Sequence, residues 1–247
     1  MDTIRVLQMG LGPIGRRVTR YLLERGGLEI VGAVDSDPAL RGKRLDELAD
    51  LAAEGLVSGV VVVGSVEEAL AGGSADVAVV TTTSSLARLE PQLAPLIAHG
   101  LRVVSTCEEL AYPWKRQPAL ARRIDIAARE AGVAVLGTGV NPGFLMDLLP
   151  VALSGVCQRV ETVLVERVQD AQYRRLPFQK KIGAGLSPAE FDAKIREGSL
   201  RHVGLTESMH MIAAAFGWEL SETEEQIEPV LAEHTVRTPD LVIEPGW

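Results

Sequence analysis

Apolar residues recur along the first 140 positions in a pattern that predicts short strands alternating with helices. From Ile4 to Met9 an apolar-rich run ends at a glycine cluster, and from Pro13 to Arg25 the apolar side chains follow helical spacing. Further Val-rich runs follow at Leu28–Val34, Val60–Val63, Val77–Val80, Leu101–Val104 and Val133–Leu136. Short apolar strands separated by helices are typical of a parallel sheet buried on both faces. We therefore predict an α/β fold with an N-terminal Rossmann domain, a doubly wound parallel sheet, over residues 1–140.

The second half, residues 141–247, lacks this alternation and is predicted to form an α+β domain for substrate binding and dimerisation. Its predicted elements are a helix over Gly143–Val156, a long strand over Arg159–Val168, a helix that begins at the capping box Ser187–Glu190, a helix over Thr206–Trp218 and strand-like pieces near the C-terminus. Because the chain stops at Trp247 without a closing helix or a polar tail, we expect this domain to be incomplete.

Composition narrows the class of partner. The chain has 33 acidic and 25 basic residues, a formal net charge of −8, and no clustered basic run, which argues against nucleic acids and anionic membranes. Cys107 and Cys157 are far apart and form no metal-ligand spacing, so no metal is expected. There is no signal-peptide layout and no apolar run of about 18 residues. We expect a cytoplasmic protein that acts on small molecules.

The glycine cluster fits the dinucleotide-binding pattern G-x-G-x-x-G between a strand and a helix. Gly10, Gly12 and Gly15 follow the first predicted strand, with Pro13 and Ile14 between the last two glycines. Gly10 allows a tight turn, Gly12 admits a pyrophosphate close to the backbone, and Gly15 lets the helix pack closely on the strand. The alternative is an ordinary glycine-rich turn.

Asp35 lies at the end of the second predicted strand, twenty residues after the last glycine of the motif. A carboxylate there can accept both hydroxyls of the adenosine ribose, which favours NAD. Ser36, Arg41 and Lys43 follow closely and could hold a 2′-phosphate, so NAD and NADP both remain open.

Further candidate residues follow the fourth and fifth predicted strands, at the sheet edge where such folds bind ligands. Thr81 and Thr82 are candidates to line the cofactor, and capping of the next helix is an equally good interpretation. Thr106 and Cys107 are candidates for the same reason. Thr106 and Glu109 also have the spacing of a capping box, which would explain Glu109 structurally.

Glu108 is not explained by capping and is the candidate for chemistry. It is predicted in the first turn of a helix, where the dipole favours its anionic form while burial favours the neutral form. A carboxylate under these opposed influences could bind an ammonium-like group and take a proton. The structural alternative is an ordinary acidic residue of a first turn.

The loop after the sixth predicted strand opens the second half. It would place its backbone and the Asn141 amide near the nicotinamide, whereas the alternative is a plain hinge with Asn141 as a helix cap. Aromatic, basic and titratable groups follow in a region predicted to face the first domain, with core or surface roles as the alternative. These candidates are Tyr173, Arg174, Phe178 and His202.

Four stretches carry a family resemblance: GLGPIG, TCEELAYPW, GTGVNPGF and QYRRLPFQKKIGAGLS. With them the chain resembles the 2,4-diaminopentanoate dehydrogenases and native amine dehydrogenases of the dihydrodipicolinate reductase-like group. The resemblance implies NAD(P)-dependent oxidative deamination of a small amine or diamino acid, and in reverse the reductive amination of a ketone or aldehyde with ammonia.

The same resemblance assigns roles to residues. It implies that Glu108 is the catalytic carboxylate and that Asn141 and Pro142 lie near the nicotinamide. It implies a substrate pocket shaped by Phe144, Tyr173, Arg174 and His202, and a homodimer formed through the sheet of the second domain.

Two other functions stay open at this point. One is a dehydrogenase of a hydroxyl or semialdehyde group, similar to homoserine dehydrogenase, since a carboxylate can also position a water. The other is a nucleotide-binding redox sensor without turnover, which would bind the cofactor but show no substrate-dependent oxidation of it.

Overall fold

The structure is a computed structural model that describes residues 3–48, 57–173, 176–200 and 202–247. Its centre is a six-stranded parallel sheet with the strand order β3-β2-β1-β4-β5-β6. The strands are β1 Ile4–Met9, β2 Leu28–Val34, β3 Val62–Val63, β4 Val77–Val80, β5 Arg102–Ser105 and β6 Val135–Gly137. This order is that of a doubly wound dinucleotide-binding sheet, so the predicted Rossmann architecture is confirmed.

Helices connect the strands and then build most of the second half. They are α1 Pro13–Glu24, α2 Val66–Leu70, α3 Leu86–Ala98, α4 Pro118–Ala131, α5 Leu148–Leu153, α6 Leu176–Lys181, α7 Pro188–Arg196 and α8 Leu205–Phe216. Short 3₁₀ turns cover Leu45–Glu47, Glu108–Leu110 and Ser154–Val156. Near the C-terminus β7 (Val236–Arg237) and β8 (Val242–Ile243) pair antiparallel.

Buried aliphatic side chains fill the space between the sheet and the helices. Helix α3 shows how the sequence pattern produces this core, because its leucines recur every three or four residues and form one stripe along the helix. Leu86, Leu89, Leu93 and Leu96 are all fully buried in the same cluster as Val80 of β4. Burial of one such side chain stabilises the fold by about 1.5–3 kcal/mol.

Several predicted elements begin or end elsewhere than expected. Strand β3 begins at Val62, β5 covers Arg102–Ser105 and β6 covers Val135–Gly137. Helix α8 starts one residue before Thr206 and ends at Phe216, because Gly217 takes the left-handed conformation with φ +68°. The predicted capping box of α7 is confirmed: Ser187 Oγ accepts from Glu190 N, and Glu190 Oε2 accepts from Ser187 N.

Two predictions in the second half are wrong. The helix predicted over Gly143–Val156 is restricted to α5, because the Asp147 carboxylate accepts from the backbone N–H groups of Gly143 and Leu148 and so starts the helix at Leu148. The long strand predicted over Arg159–Val168 is irregular, and the Val168 side chain is 99% exposed. Within the described residues no strand pairs with that segment, so its alternation leads to no sheet.

No helix of the described residues is long and apolar enough to cross a membrane.

An ion pair joins the amino ends of β1 and β4, at the sheet edge opposite the glycine motif. Arg5 NH2 donates to Asp76 Oδ1 over 2.8 Å, and Arg5 Nε donates to Asp76 Oδ2 over 3.2 Å. This two-pronged pairing lowers the pKa of Asp76 from 3.8 to about 2. Because the folded-state pKa is the lower one, the ionised carboxylate stabilises the fold above about pH 4, and this contribution is lost as the pH falls toward 2.

We therefore expect Asp76→Asn to lower the free energy of unfolding at neutral pH and to have a smaller effect near pH 2. The measurement is urea unfolding of both proteins between pH 7 and pH 2. Asp240→Asn, which changes an exposed carboxylate near the C-terminus, is the control. A difference between Asp76→Asn and the parent that stays constant over this pH range would contradict the assignment.

The two cysteines occupy opposite environments. Cys107 is buried in the main core cluster, whereas Cys157 is exposed. Burial raises the pKa of the Cys107 thiol to about 12, with the nearby Glu108 carboxylate adding to the effect. The Cys107 side chain therefore belongs to the core.

We expect iodoacetamide to label the folded chain once, at Cys157, and the unfolded chain twice. Because its pKa is raised, the Cys107 thiol stays protonated at pH 8, and the group is also inaccessible. Intact mass spectrometry over time measures the uptake. The Cys157→Ser variant is the control, and rapid labelling of that variant while folded would show that Cys107 is accessible.

Candidate active site

Four loops meet at the edge of the sheet where the parallel strands end. They follow β1, β4, β5 and β6. Backbone pairing continues past the ends of the strands: Thr106 N donates to Val80 O over 3.0 Å, and Thr138 N donates to Ser105 O over 2.9 Å. The loops are thereby held side by side, which makes this edge the place where residues distant in sequence converge.

The glycine loop has the geometry that its three glycines require. Gly10 has a φ of +91°, and a Cβ there would lie 2.9 Å from Thr82 Cγ2. A Cβ at Gly15 would overlap the carbonyl oxygen of Gly10, whereas one at Gly12 would meet nothing within 4 Å. Helix α1 begins at Pro13 without a side-chain cap. Gly12 therefore leaves an open backbone face at a helix N-terminus, and these residues fit the pyrophosphate of a dinucleotide.

The hydroxyl groups of the two threonines after β4 are engaged with the protein itself. Thr81 Oγ1 donates to Gly10 O over 2.8 Å, and Gln8 Nε2 donates to the same oxygen over 2.9 Å. Thr82 Oγ1 donates to Gln92 Oε1 on α3 over 2.8 Å. Thr81 thus fixes the glycine loop, together with Gln8, a fully buried residue that sequence reasoning missed.

Asp35 is tied to the same loop from the other side. Its Oδ2 accepts from Leu11 N over 2.6 Å, and its Oδ1 accepts from Asp37 N over 2.8 Å. An ionised carboxylate has about four acceptor positions, so capacity remains for ribose hydroxyls. Ser36 is exposed beside it. Asp35 therefore lies at the end of β2, next to the glycine loop.

Arg41 lies across the end of the neighbouring strand. A Cβ built on Gly64, the residue after β3, would be 2.6 Å from Arg41 Cζ. Asp35 N donates to Val63 O over 3.1 Å, so the end of β3 is adjacent to Asp35. Arg41 is the basic residue that the structure brings to the side of the predicted ribose site.

The two adjacent glutamates after β5 have different surroundings. Glu109 Oε2 accepts from Leu86 N over 2.8 Å and from Gln117 Nε2 over 2.7 Å. The capping box predicted for Thr106 and Glu109 is therefore wrong: the 3₁₀ turn Glu108–Leu110 starts after Cys107 without a side-chain cap, and Glu109 caps the start of α3 instead. Glu108 is half-buried, and within the described chain its carboxylate accepts no hydrogen bond.

Glu108 meets the second half of the chain at the start of α8. Gly204, the residue before α8, has a φ of +101°, and a Cβ there would collide with the ring of Pro142 and lie 3.2 Å from Glu108 Cβ. The N-terminus of α8, the Pro142 ring and Glu108 are therefore in close contact. Sequence reasoning missed Gly204, although glycine directly before an apolar helical run is a usable signal.

The remaining predicted residues lie in varied positions. Asn141 is not a helix cap: its side chain lies 3.5 Å from Ser208 Oγ on α8, and the Asn141–Pro142 peptide bond is cis. Phe144 is exposed beside this loop, Tyr173 is 82% exposed, and His202 is exposed two residues before Gly204. Arg174 lies outside the described residues.

A cleft that sequence reasoning missed lies along the second half of α8. It has a volume of about 320 Å³, and its walls include Tyr112, Lys115, His210 and Trp218. Burial lowers the pKa of His210, and repulsion from the charges of Lys115 and Arg116 adds to this, against the attraction of Glu207. The cleft therefore lies between helix α8 and the segment that follows Glu108.

Comparisons with known proteins agree with this architecture. Residues 144–247 match the family model of the 2,4-diaminopentanoate dehydrogenase C-terminal domain. A 2,4-diaminopentanoate dehydrogenase of Acetoanaerobium sticklandii is 35% identical over 241 residues, which are 97% of this chain and 67% of that protein. An amine dehydrogenase of Streptomyces virginiae is 26% identical over 240 residues, which are 95% of this chain and 65% of that protein.

The fold is also similar to a solved structure. The amine dehydrogenase from Mycobacterium smegmatis superposes with a TM-score of 0.78 at 25% identity, covering 100% of this chain and 72% of that chain. The present chain spans about two thirds of the length of the two curated relatives. The similarity runs through both halves and includes the loops that form the site. The chain belongs to the 2,4-diaminopentanoate dehydrogenase family.

Proposed function

We propose that this chain is a nicotinamide-dependent amine dehydrogenase, which oxidatively deaminates a small amine or diamino acid and, in reverse, aminates a ketone or aldehyde with ammonia. The observation that carries the proposal is the position of Glu108. It is a half-buried carboxylate at the carboxyl edge of a dinucleotide-binding sheet, beside Pro142 and the N-terminus of α8. The relatives named as amine and diaminopentanoate dehydrogenases support the same chemistry.

The residues that would hold the cofactor are those around the glycine loop. The open backbone at Gly12 and the uncapped start of α1 suit the pyrophosphate, with Pro13 and Ile14 opening the helix. The Asp35 carboxylate suits the adenosine ribose. When bound, the nicotinamide supplies or accepts the hydride of the reaction.

Glu108 would perform the proton chemistry at the amine. As an anion it binds a substrate ammonium and can take one of its protons, and in the reverse direction it returns the proton. The N-terminus of α8 beside it favours negative charge at this position. Pro142, which is buried against Gly204, contributes an apolar wall that limits the access of water.

We expect ammonium-dependent oxidation of NADH when the chain is mixed with a panel of small ketones and aldehydes at mildly alkaline pH. Glu108→Gln should lower the turnover number by roughly 10²-fold or more, the usual scale for a general acid–base group, with little change in nucleotide affinity. Absorbance of the reduced cofactor gives turnover, and its fluorescence gives affinity.

Glu109→Gln is the matched control, because it changes the neighbouring carboxylate that caps α3. This variant should unfold at a lower temperature but retain turnover per folded molecule. Near parental turnover in Glu108→Gln would contradict the proposed acid–base role of Glu108. Oxidation without ammonium would instead indicate a hydroxyl or carbonyl enzyme, and nucleotide binding without any oxidation would indicate a sensor.

We further propose that NAD is preferred over NADP. Three carboxylates border the ribose position: Asp35 itself, Asp37, whose N–H it binds, and Glu68, whose Oε2 accepts from Gly64 N over 3.2 Å. Their negative charges together disfavour a 2′-phosphate. Among the described residues, Arg41 is the one cation found beside Gly64.

We expect the parent to have a lower KM for NADH than for NADPH, and Asp35→Ser to raise the KM for NADH by about tenfold, the scale of a lost hydrogen bond to a charged group. Arg41→Ala is the comparison variant and should leave the KM for NADH unchanged. A parent that binds NADPH more tightly, with that preference lost in Arg41→Ala, would overturn the assignment in favour of NADP.

A further inference from the structure

A fully buried carboxylate joins the loop beside Glu108 to helix α8. Asp147 Oδ2 accepts from Gly143 N over 2.8 Å and from Ser208 Oγ over 2.7 Å. Its Oδ1 accepts from Leu148 N over 2.6 Å. A carboxylate without solvent is costly unless its oxygens are hydrogen-bonded, and three donors satisfy this one.

Asn141 extends the same network. Its side-chain oxygen lies 3.5 Å from Ser208 Oγ, whose single proton is already given to Asp147 over the shorter distance. The amide can therefore contribute a good bond only with its NH₂ group turned to Ser208, an orientation that the hydrogen-bond network decides. With the amide in that orientation, Asn141 would donate to Ser208, which donates to Asp147.

The network lies directly behind the contact with Glu108. Ser208 N donates to Gly204 O over 3.0 Å, so Ser208 is one helical turn beyond the residue that touches Glu108 and Pro142. Gly143 has a φ of +120°, and a Cβ there would collide with the backbone of Gly139. The loop is thus tightly packed on itself at Gly143, and the Pro142 ring is tightly packed against Gly204 before α8, so a shift of the loop or of α8 moves the surroundings of Glu108.

We infer that Asp147 is a positioning residue for the amine chemistry: through Ser208 and Gly143 it sets where Pro142 and the N-terminus of α8 stand against Glu108. The inference rests on the proposed function for its catalytic consequence. Asp147 touches neither cofactor nor substrate in this role. It acts by fixing two elements that sequence places 61 residues apart.

Asp147→Asn tests this with little change in volume, because its NH₂ group would face donors that now bind an oxygen. We expect kcat to fall by about tenfold, the KM for NADH to stay unchanged, and the pH profile of kcat to shift, since that profile reports the protonation of Glu108. Ser208→Ala should likewise lower kcat and shift its pH profile without changing the KM for NADH, and Ser208→Thr, which keeps the hydroxyl, should have the parental kcat and pH profile.

Ser154→Ala is the control, because it removes a partly buried hydrogen bond, from Ser154 Oγ to Val151 O, in the same half of the chain. It should lower stability without moving the pH profile. A folded Asp147→Asn variant with parental kcat and pH profile would overturn the inference. Should Asp147→Asn not fold, the pair Ser208→Ala and Ser208→Thr decides the question in the same way.

Amide hydrogen exchange separates this inference from the proposed function. Exchange at the Gly143 and Leu148 amides should be slow in the parent and at least about tenfold faster in Asp147→Asn, whether or not the chain turns over an amine. A parent without ammonium-dependent turnover would refute the proposed function, and with it the catalytic role of Asp147. Unchanged exchange in Asp147→Asn would refute the network itself.

Discussion

The architecture of the site depends on the close contact between helix α1 and strand β1 at Gly15. Any side chain at this position would overlap the carbonyl oxygen of Gly10, and that oxygen also accepts hydrogen bonds from Gln8 and Thr81. The glycine loop is thereby held from the strand below it and from the neighbouring strand β4. Asp35 holds it from a third side through Leu11 N. Three independent anchors leave the open face at Gly12 as the part of the loop that is available to a ligand.

The geometry of one short turn explains the different surroundings of the two adjacent glutamates. A 3₁₀ turn has three residues per turn, so neighbouring side chains point about 120° apart. Glu109 is fixed toward the starts of α3 and α4 by its bonds to Leu86 and Gln117. The backbone of this turn therefore separates the two carboxylates: Glu109 packs toward the core, whereas Glu108 lies beside Gly204 and Pro142.

Features that depend on neighbouring residues were predicted from the sequence, whereas features that depend on distant contacts were not. Strands β1, β2 and β4 were predicted with their observed bounds, because apolar periodicity and flanking glycines are local signals. The capping box at Thr106 failed because the true partner of Glu109 is Leu86, 23 residues away. The strand predicted over Arg159–Val168 failed because alternation alone does not supply a neighbouring strand.

The candidate site divides in the same manner. The glycines and Asp35 could be predicted because a fixed spacing encodes them. Glu108 was found only by elimination and by family resemblance. Gln8, Asp147 and Ser208 carry no sequence signal for these long-range contacts, since each acts through a partner brought near by the fold: Thr81 for Gln8, and Asp147 and Ser208 for each other.

Cofactor binding and amine chemistry are consequently built from different parts of the molecule. The residues that suit the dinucleotide belong to the sheet and its glycine loop, which are complete at Gly137. The surroundings of Glu108 are complete only when Pro142 and Gly204 close on it from beyond the sheet. A change in the second half that loosens α8 would then leave nucleotide binding intact while it alters turnover. Because Asp147 is the buried group that links those two closing elements, the chemistry of the site depends on a side chain that the reacting atoms never meet.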